Sequence, residues 1–245
     1  MGDQFSRSRR IFGTVGMERL FSSRVIVFGL GGVGGYVSEA LARSGVGYLD
    51  LVDNDTVSLT NLNRQIYALQ STVGRLKVDV AAERISDINP SCRVTRHKCF
   101  FLPGTADSFD FSKYDYVVDC IDTVKGKISI IQKAFQAAVP VISSMGTGGK
   151  TDPTRLEIAD ISETSVCPLA RVMRRELRKL GIEHLKVVYS KEEPVPLLRG
   201  NEDDDGEIIK GDRVPPGSTS FVPPAAGLIL ASQVVRDITG FRLKY

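Results

Sequence analysis

The run Gly29-Leu30-Gly31-Gly32-Val33-Gly34 has the G-x-G-x-x-G spacing of a phosphate-binding turn. Glycines let backbone N–H groups approach a phosphate, and a helix that starts there favours negative charge. Asp53 follows at the end of the next apolar run, where a carboxylate accepts hydrogen bonds from ribose hydroxyls. These two features suit NAD or FAD as readily as ATP. The segment from Asp53 through Asp55, Asn61, Arg64 and Gln65 to Lys77 decides between them. A dinucleotide dehydrogenase does not need an arginine, a glutamine and a lysine just beyond its ribose carboxylate. A triphosphate does, because its concentrated charge calls for cationic donors. Asp122 is expected at the same sheet edge, where a carboxylate can hold Mg²⁺ together with phosphate and water oxygens.

Side chains so far apart in sequence meet only if strand ends bring them together. Residues 24–30 form a short, mostly apolar run with glycine at position 29, the mark of a buried parallel strand. Residues 36–43 read as a helix and 48–52 as a second strand, which completes a βαβ unit. Residues 53–74, rich in Asp, Asn, Ser and Thr, read as a loop. Residues 75–88 read as an amphipathic helix stopped by Asn89-Pro90. Strands are expected over 93–97, 114–120 and 139–143, with a helix over 127–138. This alternation predicts a doubly wound, Rossmann-like, mostly parallel sheet across 1–145. Beyond Gly149 the rhythm changes. Residues 155–161 and 184–189 read as additional strands outside the alternation, flanking a helix over 169–180, so the C-terminal part is expected to add antiparallel strands and helices. Residues 199–217 carry loop chemistry, and 222–238 read as a final helix with Pro223 and Pro224 in its first turn. The whole of 1–245 reads as one domain, with 146–245 as a C-terminal extension of the core.

The bulk properties agree with a folded globular protein. Apolar residues make up 42% and charged residues 25%, as expected of a globular protein rather than a disordered one. A net charge of +3 gives no general case for nucleic-acid binding, so any basic face has to be local, and DNA is not an expected partner. Cys92, Cys99, Cys120 and Cys167 contain no Cys-x-x-Cys pair, which argues for reduced thiols in the cytoplasm rather than disulfides or a four-thiolate zinc site. Cys120 reads as core and Cys167 as buried or inert, and neither His97 nor His184 is assigned to catalysis. The N-terminus lacks the apolar run of a signal peptide, and the match of Met1-Gly2 and Ser6 to a myristoylation pattern is too short to carry weight. Residues 225–235 are too few to span a bilayer, so no membrane partner is expected.

The positions Gly29, Gly31, Gly32, Gly34, Asp53, Asp55, Asn61, Arg64, Gln65, Lys77 and Asp122 resemble, in order and spacing, the superfamily of ubiquitin-activating enzymes and of the bacterial adenylyltransferases of thiamine and molybdopterin synthesis. The resemblance implies that the glycine turn and Asp53 hold adenosine, that Arg64, Gln65 and Lys77 handle phosphates, and that Asp122 holds the metal. Phe5-Ser6-Arg7 resembles the segment whose arginine reaches into the partner's site, which implies a homodimer with Arg7 acting in trans. Within the superfamily the chain is most similar to the tRNA threonylcarbamoyladenosine dehydratase branch. The branch-like stretches run from Gly148 to Thr154, from Cys167 to Ala170, from Val187 to Ser190 and from Ser220 to Pro223. The superfamily's paired zinc cysteines and a separate thioester-cysteine domain are both absent from the sequence.

What the resemblance implies is adenylation of a carboxylate on modified tRNA by ATP with Mg²⁺, followed by loss of water. The alternatives are activation of a ubiquitin-like sulfur carrier's C-terminus and, further off, an NAD-linked oxidoreductase. A sulfur-transfer or other accessory protein is a further expected partner. Arg171, Arg174, Arg175, Arg178 and Lys179 give one helix a basic side. That side reads either as a solvated face or as a patch for the tRNA backbone.

Overall fold

A computed structural model describes residues 3–102, 104–196 and 216–242. The chain begins with helix α1 (Ser6–Ser22), then strand β1 (Arg24–Phe28), α2 (Gly34–Ser44) and β2 (Tyr48–Val52). After the long loop come α3 (Lys77–Ile88), β3 (Arg93–His97), β4 (Tyr116–Asp119), α4 (Val124–Gln136) and β5 (Val141–Ser144). The C-terminal part adds β6 (Leu156–Asp160), α5 (Pro168–Arg178), β7 (Lys186–Ser190) and α6 (Val222–Thr239).

The seven strands form one sheet in the order β3-β2-β1-β4-β5-β7-β6. Every neighbouring pair is parallel except β6 with β7. Chain order reverses between β1 and β4, and at such a switch point the helices leave on opposite faces and open a crevice above the strands' carboxyl ends. Alternation along β1 serves both layers. Val25 and Val27 face the cluster that contains Val37, Leu41, Ile85 and Leu230 of α2, α3 and α6. Ile26 and Phe28 face the cluster that contains Ile130, Met173 and Leu177 of α4 and α5. Each such fully buried side chain is worth roughly 1.5–3 kcal/mol, so the central strand is apolar throughout.

Several expectations shift. Of the two additional strands only β6 is antiparallel to the rest, because β7 pairs with β5 in parallel and extends the main sheet. Helix α1 gave no sequence signal, since its first turn has no acid and Gly13 interrupts it with φ 71°. Helix α3 starts at Lys77 rather than Arg75, where the Lys77 N–H donates to the Asp55 carbonyl. Strand β4 stops at Asp119, because the carboxylate of Asp119 accepts the Ile121 N–H and bends the chain there. The loop expected over 199–217 lies outside the described residues as far as 215.

Candidate active site

Gly29 closes β1 with φ +86°, a conformation that side chains resist, and a Cβ there would lie 3.0 Å from the Cys120 carbonyl oxygen. A Cβ on Gly34 would come within 1.8 Å of the Gly29 carbonyl oxygen, so the first turn of α2 folds back on the strand only because residue 34 has none. The turn between them forms one wall of a crevice of about 360 Å³ at the switch point.

Asp53 ends β2 beside that turn. The Leu30 N–H donates to its Oδ2 at 2.6 Å and the Asp55 N–H to its Oδ1 at 2.8 Å. The carboxylate therefore ties the glycine turn to the start of the 53–74 loop, and each oxygen keeps a lone pair free for a hydroxyl donor. Burial holds the Asp53 carboxyl above the ordinary aspartate range, against the opposing effect of Lys77 and the two N–H groups. Lys77 reaches the crevice from the first residue of α3. Its side chain is only 6% exposed, and its Nζ donates to Asp55 Oδ2 at 2.9 Å. Taken on helix periodicity alone a lysine there would be a solvated residue. The loop covers it instead, through Lys77 N–H to Asp55 O and Val57 N–H to Arg75 O.

Asn61 and Gln65 are buried. Asn61 Oδ1 accepts the Ser58 N–H at 3.2 Å and its carbonyl takes the Gln65 N–H, so Asn61 shapes the loop that presents Arg64. Arg64 donates to the Thr60 carbonyl at 3.0 Å and to Asn63 Oδ1 at 2.8 Å, which aligns its guanidinium along the crevice wall.

On the β4 side two acids divide the work. Asp119 is fully buried, accepting from Lys127 Nζ at 2.9 Å and from Ser143 Oγ at 2.5 Å. Asp122, three residues on, is exposed and lines the crevice. Hard carboxylate oxygens open to the crevice fit a Mg²⁺ ion that takes its other ligands from phosphate and water. Among the described residues no group of three or more His, Cys, Asp or Glu could hold a metal ion by itself.

Gly29, Gly31, Gly32, Asp53, Asp55, Asn61, Arg64, Gln65, Lys77 and Asp122 thus line one crevice, with Gly34 packed beneath the turn. Arg7 is not among the lining residues. It is exposed in the first turn of α1. The basic helix α5 is not uniform. Arg174 turns inward and donates to the Thr164 carbonyl at 2.8 Å and to the Ile161 carbonyl at 3.1 Å, bonds that fasten the 161–164 turn. Arg175 and Lys179 both pair with Glu176, while Arg171 and Arg178 are exposed.

Some lining residues had no sequence signal. Phe100 and Phe101 enter because an aromatic cluster of Phe28, Phe101, Phe109 and Phe111 folds the connection after β3 against β1. Thr147 and Ser218 enter from the C-terminal part, beside Pro223 of the branch-like stretch. Cys120 reads as core from its sequence, yet it also lines the crevice, and burial pushes its thiol up. Cys167 is buried, 3% exposed, at the start of α5. His97 bonds Asp50 at 2.9 Å beneath the aromatic cluster and does not line the crevice.

Comparison with known proteins agrees with this geometry. The sequence model of the ThiF family matches residues 5–245. A tRNA threonylcarbamoyladenosine dehydratase of Bacillus subtilis is 46% identical across 96% of this chain and 94% of its own. The Escherichia coli molybdopterin-synthase adenylyltransferase is 39% identical over 52% of this chain and 51% of its own. The crystal structure of the E. coli tRNA N6-threonylcarbamoyladenosine dehydratase in complex with ATP superposes with a TM-score of 0.85 at 32% identity, covering 97% of this chain and 94% of that one.

Proposed function

We propose, from the premise that this chain belongs to the ThiF family, that it is an ATP-dependent tRNA threonylcarbamoyladenosine dehydratase. One observation carries the reading: the glycine turn, Asp53, Arg64, Gln65, Lys77 and Asp122 face a single crevice at the switch point of a chain similar to such enzymes over nearly its whole length. The carboxylate of the threonylcarbamoyl group attacks the α-phosphate of ATP, forming an acyl-adenylate and releasing pyrophosphate. An oxygen or nitrogen of the same modification then closes onto the acyl carbon and expels AMP, so that water is lost overall.

In this reading the glycine turn takes phosphate on its N–H groups, and Asp53 takes a ribose hydroxyl. Arg64, Gln65 and Lys77 bind and orient the triphosphate. The fixed positive charges of Arg64 and Lys77 offset the charge that builds up as the α-phosphate is attacked. Lys77 is held by Asp55 and is already desolvated, so little reorganisation precedes binding. Asp122 would hold Mg²⁺, which supplies charge neutralisation on the phosphate oxygens. No enzyme thioester is required, and Cys167 lies buried.

The reading extends to assembly. Ile11 of α1, 60% exposed, and Leu228 of α6, 51% exposed, line one apolar groove, and Val15 of α1 is 62% exposed. We read this face as the contact of a homodimer, since exposed apolar area of this kind marks association surfaces. Arg7 lies one turn before Ile11, so a partner seated there could receive it in trans. The chain is read as one domain because α6, from the C-terminal part, packs on α1 and α2 of the core. Among the described residues no helix is long and apolar enough to cross a membrane, and a cytoplasmic enzyme acting on tRNA, with or without a sulfur-transfer partner, accords with that.

The decisive assay mixes purified protein, ATP and Mg²⁺ with threonylcarbamoyl-modified tRNA. It follows pyrophosphate release together with an 18 Da loss in the modified nucleoside by mass spectrometry, the mass of one water. Unaltered tRNA beside adenylation of a ubiquitin-like carrier would replace the dehydratase with the sulfur-carrier adenylyltransferase.

A further inference from the structure

Two hydroxyls at the β5 end of the crevice have hydrogen bonds to give. Thr147 and Ser218 line it, are only partly buried, and make no side-chain hydrogen bond among the described residues. Hydroxyls elsewhere near the crevice are committed: Ser58 to Thr60, Thr72 to the Tyr67 carbonyl, Ser143 to Asp119, and Thr219 to Val222 and Lys150. The hydroxyl of Thr123, which also lines the crevice, has no partner but is shut off from solvent, and a Cβ on Gly126 would lie 2.8 Å from it.

The segments that carry the two free hydroxyls are held together by backbone. The Gly149 N–H donates to the Gly217 carbonyl at 2.7 Å, which pairs the segment after β5 with the segment before α6. Asn63 Nδ2 donates to the Ser218 carbonyl at 3.0 Å and fastens that segment to the loop bearing Arg64. Pro223 completes this wall, and its Cβ lies 3.1 Å from where a Cβ on Gly32 would stand. These residues therefore close over the phosphate turn from the side opposite Asp53. Asp53 follows β2 and Thr147 follows β5, three strand spacings apart, or roughly 14 Å. That span accommodates adenosine at one end, the α-phosphate over β1 and β4, and an acyl group at the other end.

We propose that Thr147 and Ser218 form the subsite for the threonylcarbamoyl group and hold its side-chain hydroxyl, so that they determine acyl specificity. This rests on the dehydratase reading of the same crevice. The attacking carboxylate must lie against the α-phosphate near the glycine turn and Arg64. The threonyl hydroxyl then projects away from the phosphates, toward the uncharged wall. Thr147 and Ser218 each offer one donor and two acceptor sites, and they match a hydroxyl without adding charge beside the carboxylate. A site that hydrogen-bonds a substrate hydroxyl rejects the analogue lacking it, because its own polar groups are then left unpaired.

The test uses full-length protein and anticodon stem-loops carrying either the threonylcarbamoyl group or its 2-aminobutyryl analogue, in which hydrogen replaces the hydroxyl. The parent should favour the threonyl substrate by about tenfold or more in kcat/KM. In Thr147→Val or Ser218→Ala that ratio should fall toward one through loss of threonyl turnover. ATP affinity measured by calorimetry should stay within about twofold, which separates a lost acyl contact from a damaged fold. A parent that turns over both substrates equally, or variants that both keep the parental ratio, would overturn the inference and leave the dehydratase reading standing. A parent that converts neither substrate removes both.

Discussion

At the scale of single residues the crevice combines groups that keep their shape with groups that keep their charge available. Lys77 is the clearest case, a buried ammonium that pairs with Asp55, itself more than half exposed. In Lys77→Ala the aspartate left behind is already in water, so the structural loss is the packing of the lysine stem, about 1 kcal/mol. Pyrophosphate release should fall by roughly 100-fold or more, as when one preorganised charge donor is removed. Full activity with an unchanged melting temperature would remove Lys77 from the phosphate site. The arginines of α5 make a sharper contrast. Arg171 is exposed, whereas Arg174 is spent on the 161–164 turn. If α5 touches tRNA phosphates, Arg171→Ala should lower the slope of log affinity against log salt by about one. Arg174→Ala should leave that slope alone and lower the melting temperature. The reverse result would show that the internal bonds of Arg174 give way when tRNA binds.

At the scale of elements, buried ion pairs fix the parts that carry the site. Lys127 of α4 meets Asp119 of β4 and Ser143 of β5, with both charged side chains fully buried. Lys127→Met would strand the Asp119 carboxylate in an apolar layer, at about 3–5 kcal/mol. Adding Asp119→Asn should recover part of that loss, and denaturant titration of both variants reads the difference. Asp119 also bends the chain toward Asp122, so the single variant should need more Mg²⁺ for half-maximal activity. On the other face Glu39 of α2 bonds Arg43 of the same helix and Arg84 of α3. Burial raises its carboxyl, but the bonds to Arg84 and Arg43 outweigh that and hold it below the ordinary glutamate range. The native state therefore loses a proton that the unfolded chain still binds, and the stabilisation is present above the unfolded value. It disappears as pH falls through the folded value. Glu39→Gln should cost about 1–2 kcal/mol at neutral pH and progressively less on acidification below the usual glutamate range. A pH-independent difference would mean the loss is one of shape rather than charge.

At the scale of the whole molecule, the apolar groove between α1 and α6 is where a second copy would sit. Ile11→Asp with Val15→Asp should convert a dimer to a monomer in sedimentation, because charge on that face must be desolvated on association. Mixing Arg7→Ala with Lys77→Ala should restore part of the activity if Arg7 serves the partner's crevice, since one site of the mixed dimer then carries both intact residues. A monomeric parent, or no recovery after confirmed subunit exchange, would confine Arg7 to its own chain.

Local patterns were enough for the parallel core and for gathering the glycine turn, Asp53, Arg64 and Lys77 along one crevice. Apolar runs ending at Gly29 and Asp53 read as buried strands from their length and flanking turn residues, and glycine at residues 29 and 34 is demanded by the backbone itself, so spacing along the chain carries the information. The ends of elements moved by a few residues because side chains such as Asp119 and backbone bonds such as Lys77 N–H to Asp55 O set them. Helix α1, the parallel pairing of β7, the inward turn of Arg174 and the arrival of Thr147 and Ser218 at the crevice left no trace in local pattern. Each depends on contacts between distant segments, such as Gly149 with Gly217 and Asn63 with Ser218, and such pairings exist only once the sheet has brought the strand ends to one edge.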